Sequence, residues 1–248
     1  MWKGQKVSLV FPTYNEKGSI YQSIEDFYSS GLVDEVIVVN NNAAEGTDEE
    51  VRKTNARLVY EHRQGYGHAI RKGIDEVSGD IIIISEPDGT FSGNDVIKLL
   101  AYSDDCEVVF GTRTSREFIW AGANMGWFLK VGNYCVAKMV EFLFYTTFLS
   151  DVGCTMKLLK RSALDKIHGQ FTVGGSHFGL ELMLLVIVNN IKFVEIPVNY
   201  NKRIGRSSVT GDKLKAFLLG MRMIETVLKY WILFILRVIP RASGENKL

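Results

Sequence analysis

Two carboxylates one residue apart, Glu86 and Asp88, are the side chains of this chain best suited to chemistry. They follow the apolar run 81–84, and Pro87 and Gly89 stand beside them. In an extended segment alternate side chains share a face, so both carboxylates are expected to point the same way and to share one hard cation such as Mg²⁺ or Mn²⁺. Acidic residues beside proline and glycine also form ordinary turns, which is the alternative.

Strand and helix signals alternate through the N-terminal half and predict the elements that hold these carboxylates. Short β-prone runs lie at 7–11, 35–39, 58–60, 81–84 and 108–110. Helices are predicted between them at 19–29, 47–55, 68–77 and 94–102, and Thr47 and Asn94 are the expected N-caps. This order predicts a doubly wound α/β fold with a mostly parallel sheet, which binds ligands at the carboxyl ends of its strands.

The composition limits the class of protein. The chain has 248 residues, 46% hydrophobic and 23% charged, enough for one substantial core, and its sequence has no repeat or linker. A formal net charge of +1 with dispersed basic residues argues against nucleic acid as a partner. The cysteines and histidines lack metal-ligand spacing, and three cysteines suit a reducing compartment. The first residues contain no signal-peptide core, so we expect the catalytic domain on the cytoplasmic side.

Five short motifs follow one another along the chain. They are Phe11-Pro12-Thr13-Tyr14-Asn15-Glu16, Val38-Val39-Asn40-Asn41-Asn42, Gln64-Gly65-Tyr66-Gly67, Glu86-Pro87-Asp88-Gly89 and Gly111-Thr112-Arg113. In this order and spacing, from about residue 6 to about residue 210, the chain resembles family 2 glycosyltransferases, especially the dolichyl-phosphate mannose and polyprenyl-phosphate glucose synthases. The resemblance implies a GT-A fold over residues 1–212, with a mostly parallel twisted sheet, flanking helices and apolar interface helices.

The resemblance assigns the nucleotide-sugar donor to the first motifs. The implied donor residues are Pro12, Tyr14, Glu16, Asn40, Gln64, Gly65, Gly67, Glu86, Asp88 and Arg113. Glu86 and Asp88 are then the ligands of Mg²⁺ or Mn²⁺, which neutralises charge on the leaving nucleoside diphosphate. The family usually has aspartate where this chain has Glu86, so Asp88 is the safer direct ligand. Aspartate is also usual at Asn40, and an amide there is expected to change base recognition.

The resemblance also assigns the acceptor side. Asp151, in the block 149–157, and Glu181, on a predicted helix, are candidates for a general base or for ordering the site, and a solvated carboxylate is the alternative for Glu181. Arg203 is the third predicted catalytic residue. The implied phosphate-binding set is Arg113, Lys130, Arg203, Arg206 and Ser207, and a basic surface loop is the alternative for its last members.

Two apolar regions point to a membrane. Residues 118–149 are rich in aromatic and aliphatic side chains and predict an interfacial helical hairpin, with a buried hairpin or an oligomer contact as alternatives. Residues 213–248 predict an amphipathic helix and tail. Arg222, Glu225, Lys229 and Arg237 interrupt its apolar run, so the helix is expected to lie on a membrane or to dock on a membrane subunit rather than to cross the bilayer.

The sequence therefore predicts an inverting, metal-dependent hexosyltransferase, peripheral or monotopic at the cytoplasmic side of a membrane. The donor is a UDP or GDP sugar, with a slight preference for UDP, and the acceptor is a polyprenyl or dolichyl phosphate. A phosphate acceptor is already an anion, so Asp151 is expected to orient rather than to deprotonate. The alternatives are a transferase acting on a sugar hydroxyl, with Asp151 or Glu181 as base, and a catalytically silent membrane-associated subunit. A homo-oligomer is also compatible with the sequence.

Overall fold

The structure is a computed structural model that describes residues 1–123, 126–205 and 213–236, with the backbone alone at 127–129 and 213. Three residues with predicted roles lie outside the described residues. They are Arg206 and Ser207 of the predicted acceptor loop and Arg237 of the C-terminal segment.

A seven-stranded sheet forms the centre of the fold. Its strands are β1 (Val7–Thr13), β2 (Glu35–Asn40), β3 (Arg57–Tyr60), β4 (Ile81–Ile84), β5 (Val108–Thr112), β6 (Lys157–Lys160) and β7 (Phe193–Pro197). Their order is β3-β2-β1-β4-β6-β5-β7, and only β6 runs antiparallel to its neighbours. The predicted mostly parallel α/β sheet is confirmed. The sequence did not predict β6, whose residues Lys-Leu-Leu-Lys lack β-branched side chains.

Eight α-helices flank the sheet in the described ranges. They are α1 (Ile20–Ser29), α2 (Thr47–Arg52), α3 (Tyr66–Glu76), α4 (Val96–Ser103), α5 (Trp127–Phe144), α6 (Arg161–Ile167), α7 (Phe178–Val188) and α8 (Lys213–Ile235). The two predicted N-caps were wrong. Gly46 precedes α2 in a left-handed conformation, and the side chain of Ser92 accepts the N–H of Asn94 ahead of α4.

Apolar side chains pack on both faces of the sheet. Leu9 and Phe11 of β1 contact the cluster that contains α1 and α4, whereas Val10 belongs to the cluster that contains α3, α5, α7 and α8. Strands that are covered on both faces read as continuous apolar runs, which explains why β1 and β4 were predictable. Helix α8 contributes Val227 and Tyr230 to the second cluster, so its inner face is part of the main core.

The predicted helical hairpin at 118–149 was wrong, because the described part of this region contains one α-helix, α5. Before α5, residues Arg116–Phe118 form a 3-10 helix, and the two residues after it pair with another segment. Ile119 forms a bridge with Tyr200, and the N–H of Trp120 donates to the carbonyl of Tyr200 at 3.0 Å. This backbone pairing with the segment after β7 replaces the helical hydrogen bonds that a first hairpin helix would need. Within the described ranges, the helices are too short or too polar for one to traverse a bilayer.

Candidate active site

A cavity of about 640 Å³ opens at the carboxyl edge of the sheet. Pro12 and Thr13 end β1, Asn41 follows β2, Glu86 follows β4 and Arg113 follows β5, and all of them line it. The carboxyl ends of parallel strands meet at one edge, so residues distant in sequence converge there. A cavity therefore lies at the edge of the sheet where the sequence predicts the site.

The opposite end of the cavity is apolar. Its walls come from α5, α7 and α8, with Val136, Leu180, Ala216, Phe217, Leu219, Met221, Met223 and Ile224 among the lining residues. One continuous cavity therefore joins a charged region at the strand ends to a hydrocarbon-like region between helices.

Glu86 and Asp88 face a single point, which agrees with the alternation of side chains in an extended segment. Nη2 of Arg203 lies 2.7 Å from Oε2 of Glu86 and 2.5 Å from Oδ2 of Asp88. The other oxygen of Asp88, Oδ1, accepts the N–H of Thr90 at 2.9 Å and its hydroxyl at 2.5 Å. Arg203 thus supplies the positive charge between the two carboxylates in this structure.

The carboxylate oxygens of Glu86 and Asp88 are suitable ligands for a hard divalent cation. Oδ2 of Asp88 is buried, and its charged partner is the guanidinium of Arg203, which lies where a cation shared with Glu86 would lie. The described residues contain no group of three or more histidine, cysteine or acidic side chains arranged for a metal. A cation held by Glu86 and Asp88 would therefore take its remaining ligands from water and phosphate oxygens, which is usual for Mg²⁺.

The electrostatics of this pair favour a positive charge. Burial, followed by the nearby charge of Asp88, raises the pKa of Glu86 to about 8. Two carboxylates that share a desolvated site repel each other, so one of them holds its proton more tightly. A cation between them relieves that repulsion.

The loop that carries Arg203 is tied to the carboxylate motif. The N–H of Ile204 donates to the carbonyl of Asp88, and the N–H of Asn201 donates to the carbonyl of Thr90, both at 2.8 Å. Upstream, the backbone N–H and the side-chain amide of Asn199 donate to the buried carboxylate of Asp95 at 2.6 and 2.7 Å. These bonds fix the start of the loop over the end of β4.

Arg113 is held by a buried carboxylate. Its Nε and Nη2 donate to Asp151 at 2.8 and 2.9 Å, and the N–H of Gly153 donates to the same carboxylate. Burial alone would raise the pKa of Asp151, yet the charge and hydrogen bonds of Arg113 hold it below its usual value. Asp151 is fully buried and absent from the cavity wall, whereas Arg113 lines the cavity. Glu195, which the sequence did not single out, accepts the N–H groups of Ser150 and Asp151.

Glu181 is also buried rather than solvated, so the solvated alternative was wrong. Its carboxylate accepts the N–H and hydroxyl of Thr172, the N–H of Val173 and the hydroxyl of Tyr230. It does not line the cavity. Its hydrogen-bonding capacity is used within the protein.

Asn41, rather than the predicted Asn40, lines the cavity. Asn40 turns to Asp48, to which its amide donates at 2.6 Å. The amide of Asn41 donates to the carbonyls of Glu61 and Arg63 at 2.7 and 2.8 Å, and its oxygen accepts the N–H of Gly65 at 2.8 Å. In a run of three asparagines no sequence signal distinguishes the one that points inward.

The two glycines of the third motif are required by backbone packing. Gly65 has φ +146, and a Cβ there would lie 2.2 Å from the carbonyl oxygen of Gly174. A Cβ at Gly67 would lie 2.6 Å from the carbonyl oxygen of Val173. The sequence interpretation was close backbone approach to the nucleotide, but the structure shows the segment before α7 pressed against these positions.

The predicted site residues divide into two groups. Those on the cavity wall are Pro12, Tyr14, Glu16, Gln64, Gly65, Glu86, Arg113 and Arg203. Those absent from the wall are Asn40, Gly67, Asp88, Lys130, Asp151 and Glu181. One oxygen of Glu16 already accepts the N–H groups of Tyr14 and Asn15, at 2.7 and 2.9 Å, and so shapes its own turn.

Two further tyrosines on the wall were assigned no role from the sequence. The Arg113 guanidinium lies over the ring of Tyr200, 5.3 Å from its centroid, and Tyr66, which lies within the third motif, begins α3. Burial raises the pKa of both phenols, so they stay neutral and can donate hydrogen bonds. An isolated tyrosine at a strand or helix end has no distinguishing pattern in one sequence.

The chain is similar in sequence to a glycan biosynthesis hexosyltransferase and to two dolichyl-phosphate sugar transferases. It is 28% identical over 228 residues to the low-salt glycan biosynthesis hexosyltransferase Agl6 of Haloferax volcanii, covering 90% of this chain but 53%, about half, of that protein. It is 24% identical to a dolichyl-phosphate beta-glucosyltransferase of Saccharomyces cerevisiae, with 88% and 72% covered. It is 25% identical to a dolichyl-phosphate hexose transferase of Haloferax volcanii, with 90% and 92% covered.

The fold is also similar to solved structures. Glucosyl-3-phosphoglycerate synthase from Mycobacterium tuberculosis, in complex with Mn²⁺, uridine diphosphate and phosphoglyceric acid, superposes with a TM-score of 0.72 at 18% identity, covering 92% of this chain and 79% of that one. This likeness confirms the predicted GT-A fold. The family described as Glycosyl transferase family 2 matches residues 8–168, more than half of the chain. This protein therefore belongs to the family 2 glycosyltransferases.

Proposed function

We propose that this protein transfers a hexose from a nucleotide sugar to a polyprenyl phosphate such as dolichyl phosphate. The observation that carries the proposal is the cavity itself, which has carboxylates and arginines at one end and apolar walls from α5 and α8 at the other. A nucleotide sugar suits the first end and a prenyl chain suits the second. The dolichyl-phosphate transferases among the relatives support this acceptor class.

The donor end offers groups for each part of a nucleotide sugar. Pro12, Tyr14 and Glu16 would contact the base and ribose, with Asn41 behind the Gln64–Gly65 turn. Glu86 and Asp88 would hold Mg²⁺ or Mn²⁺ at the diphosphate. Such a cation would neutralise the negative charge that develops on the leaving nucleoside diphosphate. Because Arg203 now occupies the space between the carboxylates, its guanidinium must move aside in the loaded enzyme.

Arg113 and the displaced Arg203 are the groups that would bind the acceptor phosphate. Both line the cavity, and guanidinium groups bind phosphate oxygens through paired hydrogen bonds. The phosphate monoester is an anion at neutral pH, so it can attack the anomeric carbon in line and invert it without a strong base. Asp151 then acts by holding Arg113. A sugar hydroxyl acceptor would need a free base, and both predicted bases are already fully engaged.

We also propose that the protein lies on the cytoplasmic surface of a membrane. Helix α8 presents an exposed apolar stripe formed by Leu214, Phe217, Leu218, Met221, Leu228, Ile232 and Ile235. Trp120, Phe142 and Phe148 add exposed aromatic surface near α5. Apolar stripes flanked by lysine and arginine bind lipid interfaces, where a prenyl phosphate resides.

The test combines nucleotide binding with acceptor choice. UDP and GDP, each with and without Mn²⁺, are titrated calorimetrically, and radiolabelled UDP and GDP hexoses are then supplied with either a polyprenyl phosphate or the matching polyprenol. We expect metal-dependent binding of one nucleotide and transfer to the phosphate alone. Transfer to the polyprenol at equal rate, or binding of neither nucleotide, would contradict the proposal.

A further inference from the structure

Residues 64–67, which we call the donor loop because we propose that they contact the donor nucleotide, pack against segment 172–174, which precedes α7. The N–H of His68 donates to the carbonyl of Gly174 at 3.1 Å, and the carbonyls of Val173 and Gly174 press on Gly67 and Gly65, as their glycine requirement shows. A displacement of this segment by even a few tenths of an ångström would therefore shift the loop that follows Gln64. The segment is the mechanical support of that loop.

Glu181 holds segment 172–174 in place. Its buried carboxylate accepts the N–H of Thr172 at 3.0 Å, the hydroxyl of Thr172 at 2.5 Å and the N–H of Val173 at 2.9 Å. Two consecutive backbone N–H groups that converge on one carboxylate define the path of the chain. A buried carboxylate also pays a large desolvation cost unless such bonds are made, so this arrangement is not interchangeable with an apolar side chain.

The fourth bond to this carboxylate comes from a different helix. The hydroxyl of Tyr230 in α8 donates to Oε1 of Glu181 at 2.9 Å, and Tyr230 is only 4% exposed. The same helix lines the apolar end of the cavity through Phe217 and Met221. The carboxylate of Glu181 therefore connects α8, which lines the apolar end of the cavity, to segment 172–174, which supports the donor loop.

We propose that Glu181 is a positioning residue for the donor nucleotide, acting through segment 172–174, and that Tyr230 ties this support to α8. Neither side chain touches the cavity, so each acts on the ligand only through the loop. The inference rests on the donor half of the proposed function. It assigns to Glu181 a role in donor affinity in place of proton transfer.

The experiment compares the wild type with Glu181→Gln and Tyr230→Phe. The amide nitrogen of glutamine cannot accept the N–H groups of Thr172 and Val173, whereas phenylalanine removes a single hydroxyl from a buried ring. Calorimetric titration with UDP and Mn²⁺, and in parallel with GDP and Mn²⁺, is expected to show about 10-fold weaker binding for Glu181→Gln and about 3-fold for Tyr230→Phe. Tyr102→Phe, at a tyrosine 49% exposed on α4, is the matched control and should bind as the wild type does.

A second readout separates positioning from general loss of structure. Partitioning onto vesicles of phosphatidylcholine and phosphatidylglycerol should stay unchanged in all three variants, because the exposed stripe of α8 is intact. Lower melting temperatures with unchanged nucleotide affinity would show a purely structural role and overturn the inference. A wild type that binds neither nucleotide would contradict the proposed function as well, whereas a binding wild type with equally tight variants overturns the inference alone.

Discussion

The two ends of the cavity are built by different physical means. The charged end, where we propose that the donor binds, consists of loops at strand ends that are fixed by hydrogen bonds, as Asn41 and Gly65 illustrate. The apolar end, where we propose that the acceptor binds, consists of side chains from α5 and α8, such as Val136 and Phe217, whose contacts are apolar and not directional. A polar ligand with fixed geometry suits the first construction, and a chain of variable conformation suits the second.

The side chains next to the two ends of the cavity also differ in their exposure to solvent. Next to the apolar end, side chains such as Ile232 and Phe217 remain 51% and 53% exposed, whereas Asp88 at the charged end is 1% exposed. Exposed apolar side chains of this kind mark an interaction surface, and two carboxylates that face one cationic group, as Glu86 and Asp88 do, are typical of a ligand site. If the comparison is correct, variants of side chains that contact one ligand directly should leave binding of the other ligand unaffected.

The largest effect is expected at the carboxylate pair. Asp88→Asn keeps the shape of the side chain but removes its charge, so transfer should fall by more than about 100-fold and nucleotide binding should lose its dependence on Mn²⁺. Vesicle binding should not change. Asp105→Asn, at an exposed aspartate, is the matched control. Full activity of Asp88→Asn, or of the wild type in EDTA, would refute the metal assignment.

The next prediction tests whether Asp151 holds Arg113 in place or acts as the catalytic base. Asp151→Asn leaves the charge of Arg113, whose side chain is only 11% exposed, without its partner, and loss of one member of a buried ion pair costs about 3 kcal/mol of unfolding free energy. Urea denaturation measures this loss. An unchanged free energy of unfolding would contradict the anchoring role, and rescue of the transfer rate by an added base at saturating acceptor would show that Asp151 is the catalytic base.

At the apolar end we expect a smaller effect, confined to the membrane. Leu228→Glu together with Ile232→Glu replaces side chains that are 40% and 51% exposed, so the fold should persist while vesicle partitioning falls about 10-fold. Ile97→Glu, at an isoleucine 44% exposed on α4, is the matched control. Nucleotide affinity should be unchanged in both variants. Equal vesicle binding of the double variant and the control would show that α8 does not contact the membrane.

The smallest expected effect is a loss of folding stability at acidic pH, caused by protonation of Glu61 beside the charged end of the cavity. Hydrogen bonds from Arg63 lower the pKa of Glu61 to about 2. Its folded pKa lies below the unfolded value, so the stabilisation is present above the unfolded pKa and is lost as the pH falls toward 2. Arg63 is 65% exposed, so the difference between wild type and Glu61→Gln should be below about 1 kcal/mol at pH 7. Glu45→Gln is the exposed control, and a difference that grows on acidification would contradict the assignment.

Local patterns in the sequence determined the donor half of the fold. The apolar runs of β1, β2 and β4 were recognisable because strands covered on both faces carry their signal in consecutive residues. The motifs at their ends then located Glu86 and Arg113, since parallel strands bring their carboxyl ends together. The alternation of side chains sufficed to predict that Glu86 and Asp88 face one point.

Only the tertiary structure decided what partners those residues have. Arg203 meets Glu86 across 117 positions, and Tyr230 meets Glu181 across 49, and no local pattern encodes either contact. The same applies to antiparallel β6, which enters the sheet through its pairing with β4 and β5 rather than through its own propensity. Whether a carboxylate such as Asp151 faces the cavity or lies buried behind it depends on which side chains surround it, and packing between distant segments determines that.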